Sequence, residues 1–138
     1  LPRKPLRVRR WDGGELDVVV DPRRSVDMSV YFDLDSAELT DRATASLRWL
    51  GEALSGDLRG RTFLVAGHTD LSGSRDHNLD LSFARAAAVR DHLLRNWPIE
   101  PRSLFVAGFG PDYLRTPDRP YDAVNRRVEI VALGEIPN

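Results

Sequence analysis

Residues 62–96 read TFLVAGHTDLSGSRDHNLDLSFARAAAVRDHLLRN, and this stretch decides the fold. Thr62–Ala66 is a short, mostly apolar run between two glycines, which is typical of a strand buried on both faces. A loop rich in Gly, Ser and Asp follows. Apolar and small residues then recur at helical spacing, which predicts a helix over about Asn78–Asn96 that Pro98 ends. The stretch is therefore a strand, a polar loop and a helix.

The flanking sequence repeats this alternation of strands and helices. The other predicted elements are strands over 16–20 and 26–32, a helix from Thr40 to about Gly56, a strand over 104–107, a surface loop over 111–124 and a strand over 127–133. Right-handed crossovers place consecutive helices on one face of a sheet. We therefore predict an α/β fold, a two-layer sandwich in β-α-β-α-β-β order with a mixed sheet and both helices on one face.

Length and composition predict one soluble domain. The 138 residues are 41% hydrophobic and 30% charged, as in ordinary globular proteins. Two prolines, a Gly-Gly pair and several basic residues make 1–15 a basic linker or arm with little structure, and 16–138 the domain. A net charge of -1 argues against nucleic acid as a partner, and without cysteine there is no disulfide framework or thiolate nucleophile.

Membrane contact is expected only through an anchor or another domain. No apolar run approaches the roughly 20 residues that a membrane-spanning helix needs. Because the sequence begins with Leu1 rather than Met, we expect it to be a trimmed piece of a longer chain. No sequence pattern predicts an oligomeric state.

The densest polar segment is Gly67–Ser74, which lies between the buried strand and the helix. Ligands bind preferentially at such strand ends. Arg85 follows Asp70 by fifteen residues and lies about two turns into the helix, so its side chain can reach back to the loop. We expect the two side chains to be partly exposed and to face each other across a small cleft. Such a cleft suits a zwitterion, because the carboxylate accepts from an ammonium and the guanidinium donates to a carboxylate.

Four motifs occur in order along the chain: FDLDSAEL at 32–39, GHTDLSG at 67–73, NLDLSFARAAAV at 78–89 and NRRVEI at 125–130. Together they resemble the OmpA-like C-terminal family, which includes peptidoglycan-associated lipoproteins and the periplasmic domains of flagellar stator proteins. The resemblance covers about residues 26–133. The loop at 111–124 departs from the small, polar stretch that is commoner in this family.

The resemblance implies non-covalent binding of peptidoglycan through the meso-diaminopimelate of its stem peptide. In such domains the aspartate that matches Asp70 holds the ammonium, and the arginine that matches Arg85 holds a carboxylate. The family also implies a periplasmic location, tethered to the outer membrane of a Gram-negative bacterium, where the domain anchors an envelope protein to the cell wall. The predicted ligand-binding residues are Asp70, Arg85, Asn78, Ser72, Asp35, Asp33, Phe32, Leu81 and Arg126.

Some of these residues also have a purely structural interpretation. Asp70 and Arg85 are a turn residue and a salt-bridge donor in that interpretation, and Asn78 is the N-cap of the second helix. Arg126 and Arg127 alternate along a strand, so we expect only Arg126 to face the cleft.

Two other function classes stay open beside a non-enzymatic wall-binding module. The first is a cell-wall hydrolase. In it, His68, Asp70 and His77 would coordinate zinc, or His68 would act together with Ser72 or Ser74. No HExxH or GxSxG motif supports it, and we expect no metal or organic cofactor. The second is a protein-interaction module of the same fold that has lost its ligand, but Asp70 and Arg85 are both present.

Overall fold

The computed structural model describes residues 6–9, 14–18 and 28–133. Two helices, α1 (Asp41–Ser55) and α2 (Arg75–Asn96), alternate with strands. The strands are β1 (Leu6–Arg9), β2 (Glu15–Val18), β3 (Ser29–Tyr31), β4 (Phe63–Gly67), β5 (Leu104–Gly108) and β6 (Arg127–Ala132). The predicted β-α-β-α-β-β order is confirmed from β3 to β6. Predicted strand residues 19–20 and 26–27 lie outside the described residues.

The strands form one mixed sheet in the order β2-β1-β5-β4-β6-β3. β4 and β5 are parallel, and the other neighbouring strands are antiparallel. β4 is a central strand, so its backbone is hydrogen-bonded on both sides. The loop that follows it starts from a fixed point in the sheet.

Both helices contribute to a single hydrophobic core on one face of the sheet, as predicted. The core joins Ala43, Leu47, Leu50 and Leu54 of α1 and Ala86, Val89 and Leu93 of α2 to Val30, Phe63, Val65, Leu104, Val106, Val128 and Ile130 of the strands. None of the helices in the described ranges is long and apolar enough to span a bilayer.

The start of α1 agrees with the sequence, whereas α2 begins earlier than predicted. The Thr40 hydroxyl accepts a hydrogen bond from the Ala43 amide at 3.1 Å and caps α1. In α2 the cap is Ser74, whose hydroxyl accepts from the His77 amide at 3.2 Å. The interpretation of Asn78 as the N-cap is therefore wrong, and its side chain is available for another contact.

The second helix lies unusually close to the ends of β4 and β5. A β-carbon at Gly67 would lie 1.8 Å from the Ser82 carbonyl oxygen, and one at Gly108 would lie 2.5 Å from the Phe83 nitrogen. Only glycine permits this approach. It places the first three turns of α2 directly under the loop that follows β4.

The prediction of little structure over residues 1–15 is wrong for Leu6–Arg9. This segment is β1, which pairs with β5 at Arg9 and Val106 and with β2 along its length. Apolar and basic residues alternate in Leu6–Arg9, which is typical of a strand. The prediction of a linker relied instead on the nearby prolines. The edge of β5 needs hydrogen-bond partners, which explains the pairing. We propose that the folded domain includes Leu6–Arg9.

The opposite face of the sheet carries a smaller apolar cluster that ends in a buried histidine. The cluster contains Leu64, Ala66, Phe105, Ala107, Val131 and Leu133. His68 continues this face, with only 1% of its surface exposed, and its ring stacks on Phe109. Neither ring nitrogen has a hydrogen-bond partner. Burial, followed by the charge of Arg127, lowers the pKa of His68 well below 6.5.

This burial makes stability depend on pH. His68 stays neutral in the folded chain, whereas an unfolded histidine takes up a proton near pH 6.5. The unfolded state therefore binds more protons as the pH falls, and the folded state loses stability. We expect His68 alone to lower the free energy of unfolding by about 1.4 kcal/mol between about pH 7.5 and about pH 5.5. Urea unfolding at both pH values checks this, and His68→Leu should lose that share of the pH dependence. Equal pH dependence in both proteins would contradict it.

Candidate functional site

A cleft of about 250 Å³ opens where the end of β4, the start of α2 and the loop after β3 meet. Seven of the nine predicted residues line it: Asp35, Asp70, Ser72, Asn78, Leu81, Arg85 and Arg126. Leu34, Thr69, Gly73 and His77 complete the lining. The structure thus brings together residues from all four sequence motifs. Only Phe32 and Asp33, at the start of FDLDSAEL, are predicted site residues that do not line the cleft.

Asp70 lies at the floor of the cleft, three residues after β4, and is only 3% exposed. Its Oδ1 accepts hydrogen bonds from the Ser72 amide at 2.9 Å and from the Ser72 hydroxyl. Its Oδ2 lies 3.4 Å from Nη1 of Arg126. The carboxylate is therefore held in one orientation, and the expectation that it is partly exposed is wrong.

Arg126 and Arg127 point to opposite sides of the sheet, as the alternation predicts. Arg126 lines the cleft and donates from Nε to the Phe32 carbonyl at 3.0 Å. Arg127 pairs with Glu129 at 2.6 Å on the other face. Arg126 thus adds a second guanidinium to the cleft, next to Asp70.

Arg85 is completely buried, so the expectation of a partly exposed side chain is wrong for it too. Its Nε donates to the Ser36 carbonyl at 2.8 Å, its Nη1 to the His68 carbonyl at 3.1 Å and its Nη2 to the Asp33 carbonyl at 2.9 Å. The Asp33 carbonyl also accepts from the Ser36 amide at 3.2 Å, so Arg85 reinforces a turn that the backbone already forms. A guanidinium has five N–H donors, so two make no hydrogen bond to the described residues.

The charge of Arg85 persists at neutral pH. Burial first, and then the nearby Arg126, lower the pKa of Arg85 to about 10, while Asp70 and Asp35 act in the opposite direction. The guanidinium carbon also lies 5.3 Å from the centre of the Phe32 ring. Arg85 is therefore both a structural bridge and a cation at the floor of the cleft.

Two predicted residues, Phe32 and Asp33, do not line this cleft. Phe32 is 3% exposed and supports Arg85 from behind. Asp33 contributes its carbonyl to Arg85, whereas its exposed side chain borders a neighbouring groove. The sequence indicated the correct segment, but the turn at residues 34–35 directs only the later side chains into the cleft.

The rim of the cleft carries a side-chain contact that the sequence did not predict. Nε2 of His77 lies 2.5 Å from Oδ1 of Asp35, and both side chains are more than half exposed. Asp35 adopts a φ of 55°, in the left-handed region that only a few residue types enter readily. The sequence could have indicated that His77 lines the cleft, because it directly precedes Asn78 in the first turn of α2.

The remaining lining residues divide into polar and apolar sets. Asn78 is 3% exposed and donates from Nδ2 to the Ser72 carbonyl at 2.7 Å, which ties α2 to the Asp70 loop. Leu34 and Leu81 supply apolar walls, and Leu34 is 63% exposed. The cleft thus offers one carboxylate, two guanidinium groups and an aliphatic surface.

Asn125, from the NRRVEI motif, organises the loop at 111–124. Its buried side chain accepts from the amides of Arg115 at 2.8 Å and Thr116 at 3.1 Å, and donates to the Arg119 carbonyl at 3.1 Å. The loop then reaches the cleft, because the Leu71 amide donates to the Pro120 carbonyl at 2.9 Å. The role of this asparagine is therefore to hold a loop that supports the Asp70 segment.

The residues weighed for hydrolysis do not come together. Within the described ranges, no three or more histidine, cysteine, aspartate or glutamate side chains are grouped so as to hold a metal. The His68 ring lies against Phe109 on the opposite face and has no hydrogen bond to a serine. That the protein needs no metal or cofactor stays a prediction.

Comparison with known proteins gives matches over most of the chain. A family model described as the OmpA family matches residues 31–127. The peptidoglycan-associated lipoprotein of Pseudomonas aeruginosa is 32% identical over 102 residues, which are 72% of this chain and 59% of that protein. Outer membrane protein Omp38 of Acinetobacter baumannii is 29% identical over 112 residues, which are 80% of this chain. The chain spans only 31% of the length of Omp38.

Solved structures agree with these matches. The peptidoglycan-associated lipoprotein from Burkholderia pseudomallei has a TM-score of 0.62 and 30% identity, covering 75% of this chain and 88% of that one. The cell wall anchor of the T6SS from Pseudomonas aeruginosa has a TM-score of 0.59 and 26% identity, covering 82% and 90%. The OmpA-like domain of FopA1 from Francisella tularensis has a TM-score of 0.69 at 18% identity, which shows a common fold.

Proposed function

Because the chain belongs to the OmpA family, we propose that its cleft binds peptidoglycan non-covalently through the meso-diaminopimelate of the stem peptide. The observation that carries the proposal is the buried Asp70 carboxylate, held next to Arg85 and Arg126 at the floor of the cleft. A carboxylate fixed beside two cations suits a ligand that presents both charges close together.

The free end of diaminopimelate has this chemistry. One carbon carries an ammonium and a carboxylate, and a short aliphatic chain joins it to the peptide. In the proposed complex Asp70 accepts from the ammonium, and the two unused N–H groups of Arg85 donate to the carboxylate. Leu34 and Leu81 contact the methylene groups. Ser72 and Asn78 hold the Asp70 loop in place, and Asp35 borders the entrance.

We propose binding rather than cleavage as the activity. The described residues assemble neither a metal site nor a serine–histidine pair. The names of the relatives, a peptidoglycan-associated lipoprotein and a cell wall anchor, support attachment. By the same reasoning we propose a periplasmic location, with the domain tethered to the outer membrane through a part of the protein outside this sequence.

Retention on purified sacculi tests the proposal. We expect the protein to sediment with walls whose stem peptides contain diaminopimelate, and to bind walls that contain lysine at the same position at least about tenfold more weakly. Lysine lacks the carboxylate that Arg85 would meet, and one charge-assisted hydrogen bond contributes about 1.5 to 3 kcal/mol. Equal retention on both walls would contradict diaminopimelate recognition. Release of soluble fragments would indicate a hydrolase instead.

A further inference from the structure

Two exposed apolar side chains lie side by side next to the Asp70 segment. Tyr121, in the loop at 111–124, is 65% exposed, and Leu71, directly after Asp70, is 43% exposed. The Leu71 amide donates at 2.9 Å to the carbonyl of Pro120, the residue before Tyr121. We call Leu71 and Tyr121 the apolar platform. It lies on the loop that departs from the pattern commoner in the family.

The loop holds the backbone of Tyr121 in a fixed position. The Asp122 amide donates to the Arg119 carbonyl at 3.0 Å, and the Asp122 carboxylate accepts from the Val124 amide at 3.0 Å. Pro120 restricts the chain directly before the tyrosine. These contacts explain the path of the loop, but none of them requires an aromatic side chain at 121. A tyrosine presented in this way offers a large contact area at a low cost in conformational entropy.

The size and surroundings of the apolar platform favour a sugar ring over a protein surface. Specific protein interfaces bury more than about 1,000 Å² in total, which two side chains cannot supply. Asp118 and Arg119 are exposed just before the platform and limit its apolar area. A hexose ring has a face of C–H groups and an edge of hydroxyls. It therefore matches a tyrosine, which has an apolar ring and a polar tip.

We propose that Tyr121 and Leu71 pack against a sugar ring of the glycan strand, so that the domain contacts the saccharide as well as the stem peptide. This inference rests on the proposed function. The α-carbons of Asp70 and Tyr121 are at most about 12 Å apart, because two peptide units and the Leu71–Pro120 hydrogen bond join them. The sugar is therefore required to lie close to the cleft.

The chemistry of the stem peptide meets this requirement. In the proposed complex the free end of diaminopimelate lies at the floor of the cleft, and its peptide-linked end faces the mouth. Two residues, L-alanine and γ-linked D-glutamate, and a lactyl group then join it to the sugar. In extended form this linker covers a distance comparable to that between Asp70 and Tyr121. A charged end in the cleft and a sugar on the platform are thus compatible in one ligand.

Calorimetric titration with two soluble ligands tests the inference: the N-lactyl tripeptide L-alanyl-γ-D-glutamyl-diaminopimelate, and the same peptide carrying the disaccharide of the glycan strand. We expect the wild-type protein to bind the disaccharide form about fivefold more tightly. Tyr121→Ala should bind both ligands equally, whereas Tyr121→Phe should keep the preference because it retains the ring. Trp49→Ala is the matched control, because Trp49 is 59% exposed but lies on α1, and it should keep the preference.

The outcomes separate the two proposals. If the wild-type protein binds neither ligand, the proposed function fails. If it binds both equally, if Tyr121→Ala keeps the preference, or if Trp49→Ala also loses it, the inference about the platform is wrong while the function stands. Tyr121→Ala should remain folded, because its side chain is mostly exposed. Should it unfold, a nuclear Overhauser effect between the Tyr121 ring and sugar protons in the wild-type complex decides the question, and its absence would contradict the inference.

Discussion

Asp70→Asn is expected to weaken binding of diaminopimelate-containing fragments by at least about 30-fold while the fold stays intact. Removal of one member of a desolvated charge contact costs about 2 to 5 kcal/mol, and each 1.4 kcal/mol is about tenfold in affinity. Asparagine keeps the shape of the side chain and an oxygen that can accept from the Ser72 amide. The charge and the acceptor that faces Arg126 are lost, and fluorescence or calorimetric titration with a soluble stem peptide measures the effect.

Asp122→Asn is a matched control for this change. Asp122 also accepts from the amide two residues further on, that of Val124 at 3.0 Å, and also lies near an arginine, Arg119 at 3.7 Å. It lines neither the cleft nor the groove. The control should bind like the wild-type protein. Unchanged affinity in Asp70→Asn would show that the cleft is not the binding site.

Arg85→Ala is expected to destabilise the protein by about 3 to 5 kcal/mol, since it removes one partner from a buried charged network. The carbonyls of Asp33, Ser36 and His68 each lose the guanidinium donor, although that of Asp33 keeps the Ser36 amide, and a large buried side chain leaves a cavity. Urea unfolding measures the loss. Arg85→Lys should be intermediate, because an ammonium keeps the charge but cannot reach three carbonyls in the plane of a guanidinium.

Arg95→Ala provides the comparison for Arg85, because Arg95 is exposed in the last turn of the same helix. It should change the free energy of unfolding by about 0.5 kcal/mol or less. A loss below about 1 kcal/mol in Arg85→Ala would mean that the buried bridge is not important for stability. Binding of the variants should be measured only well below their unfolding temperature.

Much of the fold could be predicted because its signals are local. Residues that are near one another in sequence form the apolar face of α1, its Thr40 cap and the apolar run of β4. The start of α2 was missed because Asn78 and Ser74 are both good caps, and only the tertiary position of Asn78 against Ser72 decides between them. β1 was missed because the nearby prolines favoured a linker and because its pairing with β5 joins residues that are far apart in sequence.

Most of the residues that line the cleft could be predicted from the sequence, but the contacts among them could not. Spacing and motifs predicted that Asp70, Arg85 and Arg126 share one cleft, because Asp70 follows β4, Arg85 lies in α2 and Arg126 directly precedes β6. Burial of Arg85 under three carbonyls depends on where the loop after β3 passes over α2, and no local pattern encodes that path. The pairing of His77 with Asp35 spans 42 residues and was not visible for the same reason.

The network around Arg85 also affects how the cleft receives a ligand. Its three carbonyl partners lie on the loop after β3 and at the end of β4, and the Ser72–Asp70 and Asn78–Ser72 bonds are already formed in the free protein. The floor is thus preorganised, and little conformational entropy remains to be lost there on association. Adaptation to different ligands is then confined to the exposed rim, where Leu34 and the Asp35–His77 pair can change rotamer without disturbing the sheet.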